Sequence, residues 1–393
     1  MTERRLRLGV AGLGRAFALM LPGLAAHPKI ELTAAADPRE DARARFAAAF
    51  KARTYPSVEA LCADPDVEAV YVATPHQFHA QNVITAARNG KHVLVEKPMA
   101  LGLDECRAMI EAARNARVQL VVGHSHSFDA PIARTAEMIA GGTFGALRMI
   151  TAVYYTDFLY RPRRPEELAA DSGGGVLFNQ APHHVDIARL LGGGMVDSVR
   201  ALTGAWDGSR PVEGAYSALL TFSGGAFATL TYSGYAHFDG DELGDGIAES
   251  GYPKDPDAYG AARLLLGAKT PAQELALKNA RLYGAQENPE PAGPRLHQHF
   301  GLLIASCDRA DFRPGPKGVA IYGGEARSFE PVPVPQVPRS EVIDEFHAAI
   351  FGGTPPLHSG EWSLATMEVC LAMQQSAREG RDIRLLHQVS TAR

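Results

Sequence analysis

Leu6-Arg7-Leu8-Gly9-Val10-Ala11-Gly12-Leu13-Gly14-Arg15-Ala16-Phe17 is the stretch whose reading decides the fold. Residues 6–12 read as a buried strand and 15–26 as a helix, with glycines at the junction. Gly12 and Gly14 permit a tight turn and let backbone N–H groups approach a pyrophosphate, an anion that the helix N-terminus also favours. Arg15 and Ala16 open that helix and complete the expected phosphate turn. Phe17 stands where the third glycine of G-x-G-x-x-G would be, which bears on helix–strand packing more than on the turn.

Reading outward, strands are expected at 30–36, 69–73, 91–95 and 118–123, with helices at 39–50, 57–63, 77–89 and 103–116. Strand and helix alternate with short connections, the pattern of an α/β Rossmann domain with a doubly wound parallel sheet. Asp37 ends the second strand, 23 residues after Gly14. A carboxylate there accepts hydrogen bonds from ribose hydroxyls and repels a 2′-phosphate, favouring NAD over NADP. Arg39 leaves the other cofactor open, because a guanidinium could accommodate that phosphate.

A chain of 393 residues should form two domains, since single cores rarely exceed roughly 250–300 residues. We place them at 1–125, for the nucleotide, and 126–393, for substrate binding and oligomerisation. The second reads as α+β: helices at 130–140 and 180–191, a strand at 147–155, and antiparallel strands at 196–205, 215–223 and 226–235. Residues 239–260, rich in Gly, Asp and Pro, read as a long excursion, a lid or a subunit contact. Helices are expected at 271–280, 296–309, 339–351 and 361–379, a strand at 317–322 and a linker at 331–338.

A net charge of −5 gives no case for nucleic acid or an anionic membrane as partner. No uncharged apolar run reaches the roughly 18 residues of a membrane span, and the basic N-terminus lacks the apolar core of a signal peptide. Cys62, Cys106, Cys307 and Cys370 are far apart with no CxxC pair, so a reducing cytoplasm is the expected compartment.

Val95-Glu96-Lys97-Pro98-Met99 follows the strand at 91–95, placing Lys97 at a carboxyl strand end where ligands of such sheets bind. With Thr74-Pro75-His76 followed by His79, Gly90-Lys91-His92-Val93 leading to Glu96-Lys97-Pro98, and the run from Gly174 to Asp186, the chain resembles the Gfo/Idh/MocA oxidoreductase family over nearly its whole length. The resemblance implies a Rossmann domain followed by an open, mostly antiparallel sheet used for self-association, hence a homo-oligomer, dimer or tetramer. It implies Thr74, Pro75, His76, His79, Glu96 and Lys97 at the cofactor. Lys97 and His183 become the catalytic candidates, and Asn179 replaces the usual aspartate. An amide there can hydrogen-bond but cannot serve as a carboxylate base.

Oxidising a secondary alcohol needs a base for the hydroxyl proton, and an imidazole titrating near 6.5 suits His183 to that task. Lys97 would stabilise developing alkoxide charge. His126 and His184 are candidate substrate contacts, though packing competes for His184; Asp186 is more plausibly a helix residue. Arg161, Arg163 and Arg164 could read an anionic substrate bidentately, or form a solvated loop paired with Glu166 and Glu167. The pairs His124/His126, His183/His184 and His297/His299 invite a metal hypothesis, but hydride transfer to a nicotinamide needs no metal and none is expected.

Residues 12–17, 232–239, 299–302 and 306–309 resemble the branch of phthalate 4,5-cis-dihydrodiol dehydrogenases and related carboxylated cis-dihydrodiol dehydrogenases, in which Phe17 is a branch feature. That implies NAD-dependent oxidation of a small anionic cyclic diol to a catechol. A sugar, inositol or other polyol dehydrogenase, or a non-catalytic NAD-bound regulator, are the alternatives.

Overall fold

The computed structural model describes residues 4–285 and 293–391, and the chain divides into two compact units. The first comprises Met1–His124, Ala276–Pro289 and Pro335–Met367; the second comprises Ser125–Leu275, Glu290–Val334 and Glu368–Arg393.

Six strands build the first unit: β1 (Leu6–Ala11), β2 (Ile30–Ala36), β3 (Arg53–Tyr55), β4 (Ala69–Val72), β5 (His92–Val95) and β6 (Leu120–Val122). All pair in parallel, in the order β3-β2-β1-β4-β5-β6. The order reverses between β1 and β4, the switch point beyond whose carboxyl ends such sheets bind ligands. Val70 to Val72 and Val93 to Val95 are buried without alternation, as strands covered on both faces must be. Helices α1 (Arg15–Ala26), α2 (Glu40–Phe50), α3 (Val58–Cys62), α4 (His79–Arg88) and α5 (Leu103–Ala116) fill the crossovers.

A single boundary near residue 125 does not describe this unit, because the chain returns to it twice. Phe17 is fully buried in an aromatic cluster, 5.8 Å from Phe46 and 5.2 Å from Tyr283 between ring centroids. At Gly23 a Cβ would lie 2.3 Å from the Pro338 carbonyl oxygen, so α1 accepts the second return only with glycine there. Val122 N–H then donates to the His358 carbonyl at 2.9 Å. Such long-range aromatic and backbone contacts leave no periodic trace in the sequence.

The second unit holds a nine-stranded sheet made of β7 (Leu147–Tyr155), β8 (Val196–Gly204), β9 (Ala215–Phe222), β10 (Phe227–Ser233), β11 (Leu302–Cys307), β12 (Ala310–Gly315), β13 (Gly318–Gly323), β14 (Arg327–Pro331) and β15 (Ile383–Arg384). Its order is β14-β13-β12-β11-β7-β10-β9-β8-β15, antiparallel throughout except for the β7–β10 pair. One face packs on helices α6 (Ala130–Ala140), α7 (Val176–Asn179) and α8 (Ala181–Leu191). Alternation decides which residues face inward: Ile150, Ala152 and Tyr154 of β7 and Ala228, Leu230 and Tyr232 of β10 are buried, whereas Met149 and Phe227 are exposed.

The helix expected at 296–309 does not form. Leu302–Cys307 is a strand, with Leu303 and Ala305 turned inward and a register against β7. Gly301 sets its entry at φ +79°, where a Cβ would lie 2.5 Å from the Val153 carbonyl oxygen. Sheet pairing overrides the helical composition.

Candidate active site

In the first unit, β1 delivers the glycine turn to the N-terminus of α1. Gly12 has φ +95°, and a Cβ there would come 2.8 Å from the Ala73 carbonyl oxygen. The first turn of α1 has neither a side-chain cap nor an acidic residue, so its N–H groups suit an anion. These features fit the pyrophosphate of a dinucleotide, with Gly12, Gly14, Arg15 and Ala16 around it.

Asp37, at the end of β2, does more than wait for a ribose. Its Oδ2 accepts from Leu13 N–H at 2.8 Å, and its Oδ1 accepts from the Arg39 backbone N–H at 2.9 Å and Nε at 3.0 Å. Arg39 also donates to the Leu13 carbonyl at 2.7 Å. The guanidinium that could meet a 2′-phosphate is therefore pinned, consistent with a preference for NAD.

After β4, Asn82 Nδ2 donates to Thr74 Oγ1 at 2.9 Å, fixing the Thr74-Pro75 corner. The buried His79 ring reaches the carbonyls of Thr74 and Pro98, each at 2.9 Å; burial pushes its pKa down, and a neutral ring donates to one of them at a time. His79 thus holds the corner to the segment carrying Lys97. His76 lies edge-on to it at 5.6 Å. Glu96 is buried and accepts from Tyr71 Oη; burial pushes its carboxyl pKa up. Lys97 is half-buried just beyond β5.

In the second unit a ring cluster gathers around Phe300. The buried His183, His126 and His184 lie 4.9, 5.1 and 4.8 Å from its centroid, and His126 meets His183 at 4.8 Å. His126 Nδ1 sits 2.7 Å from Asp129 Oδ2, and Nε2 sits 3.6 Å from Glu249 Oε1. Burial alone would push the His126 imidazole down, but Asp129 and Glu249 raise it to about 9. His126 is therefore an imidazolium at neutral pH, with its ring 4.8 Å from that of His183.

His184 goes to the core. Its Nδ1 pairs with Tyr216 Oη at 2.9 Å, and burial pushes it down to about 3. Asn179 donates to the carbonyls of Gly173 and Gly175 at 3.2 and 2.8 Å, bracing the glycine turn before α7. Asp186 accepts from Ser127 Oγ.

The three arginines separate. Arg161 is partly open, 3.3 Å from Asp157 and 3.7 Å from Glu249. Arg163 is buried: its guanidinium lies 3.6 Å over the Phe158 ring and donates to the Phe158 carbonyl, and burial pushes it down to about 10. The Arg164 backbone N–H donates to Glu167 at 2.8 Å. His297 and His299 hold backbone carbonyls of Val332 and Ile247. Among the described residues no group of three or more His, Cys, Asp or Glu side chains could hold a metal ion, and no helix is long and apolar enough to cross a membrane.

Asp129, Glu249 and Phe300 were missed in the sequence. Asp129 was findable three residues after His126; Phe300 was masked by the expected helix; Glu249, in the Gly/Asp/Pro-rich excursion, carried no signal.

A family model described as the Gfo/Idh/MocA oxidoreductase family, NAD-binding Rossmann fold, matches residues 6–124, and one described as the Gfo/Idh/MocA C-terminal domain matches 132–243. A 1-carboxy-3-chloro-3,4-dihydroxycyclohexa-1,5-diene dehydrogenase of Comamonas testosteroni is 45% identical over 377 residues, 95% of each chain. A crystal structure of a protein from Bordetella bronchiseptica RB50 superposes with TM-score 0.91 at 39% identity, covering 97% of this chain and 100% of that one. GenD2 of gentamicin A biosynthesis, solved with NAD, shares the fold at TM-score 0.69 and 20% identity over 98% of each chain. The chain belongs to the Gfo/Idh/MocA oxidoreductase family and is an NAD-binding dehydrogenase.

Proposed function

We propose that this dehydrogenase oxidises a carboxylated cyclic cis-dihydrodiol to the corresponding catechol. The observation that carries the reading is the cation His126, whose ring lies 4.8 Å from that of His183 and which shares the carboxylate of Glu249 with Arg161. A histidine base next to fixed positive charge suits an alcohol on an anionic ring; a neutral sugar would call for neutral hydrogen-bonding groups instead. The Comamonas relative, whose name specifies a carboxylated dihydroxycyclohexadiene, supports the same substrate class.

In this reading the glycine turn, Arg15 and Asp37 hold NAD, which when bound accepts the hydride. His183 takes the hydroxyl proton. Lys97 stabilises the developing alkoxide, and Arg161 orients the ring through its carboxylate. The ketone then tautomerises to a catechol, and aromatisation pulls the reaction forward. Asn179 braces the glycine turn before α7, the short helix that precedes the one carrying His183. We assign the protein to the cytoplasm, on its four widely spaced free cysteines.

Two variants test the roles together. His183→Ala should lower kcat by about 10²–10⁴-fold with NADH affinity intact. Arg161→Gln should raise KM for the carboxylated diol about a hundredfold with a smaller change in kcat. Full turnover in His183→Ala, or an unchanged KM in Arg161→Gln, would remove the corresponding assignment.

A further inference from the structure

The excursion at 239–260 is seated on the second unit at several points. Tyr154 Oη donates to Asp241 at 2.7 Å, and Lys254 pairs with Asp241 at 3.1 Å and with Asp239. Gly301 N–H donates to His299 Nδ1, so His299 Nε2 carries the proton and donates to the Ile247 carbonyl at 2.7 Å. Beyond Ile247 the chain makes a tight turn: Ala248 N–H donates to the Tyr252 carbonyl, Gly251 N–H donates to the Ala248 carbonyl, and Ile247 bridges Pro253. Glu249 lies in that turn.

Its two carboxylate oxygens divide between two cations. Oε1 is 3.6 Å from His126 Nε2, and Oε2 is 3.7 Å from an Arg161 terminal nitrogen. We infer that Glu249 is a specificity-determining residue, an internal carboxylate occupying the seat of the substrate's own carboxylate until substrate displaces it. The inference rests on the proposed substrate class. It also narrows that class to one carboxylate, because Arg161 shares Glu249 with His126 whereas Arg163 is buried against Phe158 and Glu167.

The physical logic is an exchange. A partly desolvated cation with too little counter-charge is costly, and Glu249 adds to Asp129 and Asp157 in lowering that cost in the free protein. A ring carboxylate entering the seat replaces one ion pair with another. A neutral polyol that displaced Glu249 would remove one of two counter-charges from each cation, leaving His126 with Asp129 and Arg161 with Asp157, so the same acid that delays the correct ligand disfavours the wrong one. The turn at 248–252 is small and anchored at Gly251, whose carbonyl accepts from Leu296 N–H at 2.7 Å, so displacing Glu249 calls for a local move about that anchor rather than release of the whole excursion.

Titration of the NADH-bound protein with benzoate, and with its neutral counterpart benzamide, tests this in wild type and Glu249→Gln. Hydrogen exchange over residues 245–253 is followed in parallel. Removing the competitor should tighten benzoate about tenfold and change benzamide less than about twofold. Benzoate should also raise exchange over 245–253 in wild type. Equal benzoate affinity in the two proteins, or unchanged exchange with benzoate bound, would overturn the role of Glu249 while leaving the carboxylate reading intact. Benzoate binding to neither protein would overturn both.

Discussion

His126 has the sharpest consequence at the scale of single residues. In an unfolded chain its imidazole titrates near 6.5, whereas Asp129 and Glu249 raise it to about 9 in the fold against the opposing effect of burial. The folded state therefore holds the extra proton between those values. The stabilisation from this group is complete below pH of about 6.5 and is lost as pH rises through about 9. Denaturation of His126→Gln across that window should show a flatter pH dependence, the wild type losing about 1–3 kcal/mol more than the variant. Identical slopes would mean that the charge pair is absent in solution. His184, its neighbour in the ring cluster, sits at about 3 and stays neutral throughout. Two histidines on the same aromatic hub are thus set apart, one raised by its carboxylate partners and the other pushed down by burial.

Among the elements, the glycine turn and the strand ends were legible because their reasons are local. Gly12 needs a positive φ, Asp37 ends an apolar run, and Lys97 follows a buried strand. β11 was not legible: residues 296–309 carry a helical composition, and only pairing with β7 makes 302–307 extended. Phe17 shows the same limit. Its place in the glycine fingerprint bears on helix–strand packing, but its partners are Phe46 and Tyr283, the latter 266 residues along the chain. Phe17→Ala should cost about 3–5 kcal/mol by emptying that cluster, measured by denaturant unfolding. A loss below 1 kcal/mol, on the order of a surface change, would show that Tyr283 does not depend on it. The three-arginine segment was legible in charge only: which guanidinium is open and which lies over Phe158 depends on tertiary packing.

At the scale of the whole molecule, the sheet of the second unit exposes large apolar side chains among polar ones. Leu202, Leu219, Met149 and Phe227 all lie exposed on its strands β7 to β10, with Met149 and Phe227 paired across β7 and β10. Exposed apolar side chains on a sheet face offer a place for self-association, and we propose that a second copy of the chain covers this face. Leu202→Glu combined with Phe227→Glu should shift the protein to monomer in sedimentation velocity; an unchanged mass would place association elsewhere. The central claim is the chemistry, and NADH formation tests it most directly. The purified protein is given NAD and, in separate reactions, carboxylated cis-dihydrodiols, inositols and hexoses. The account predicts NADH with the carboxylated cis-dihydrodiols and little with the neutral polyols; NADH formed only with inositols or hexoses would contradict it.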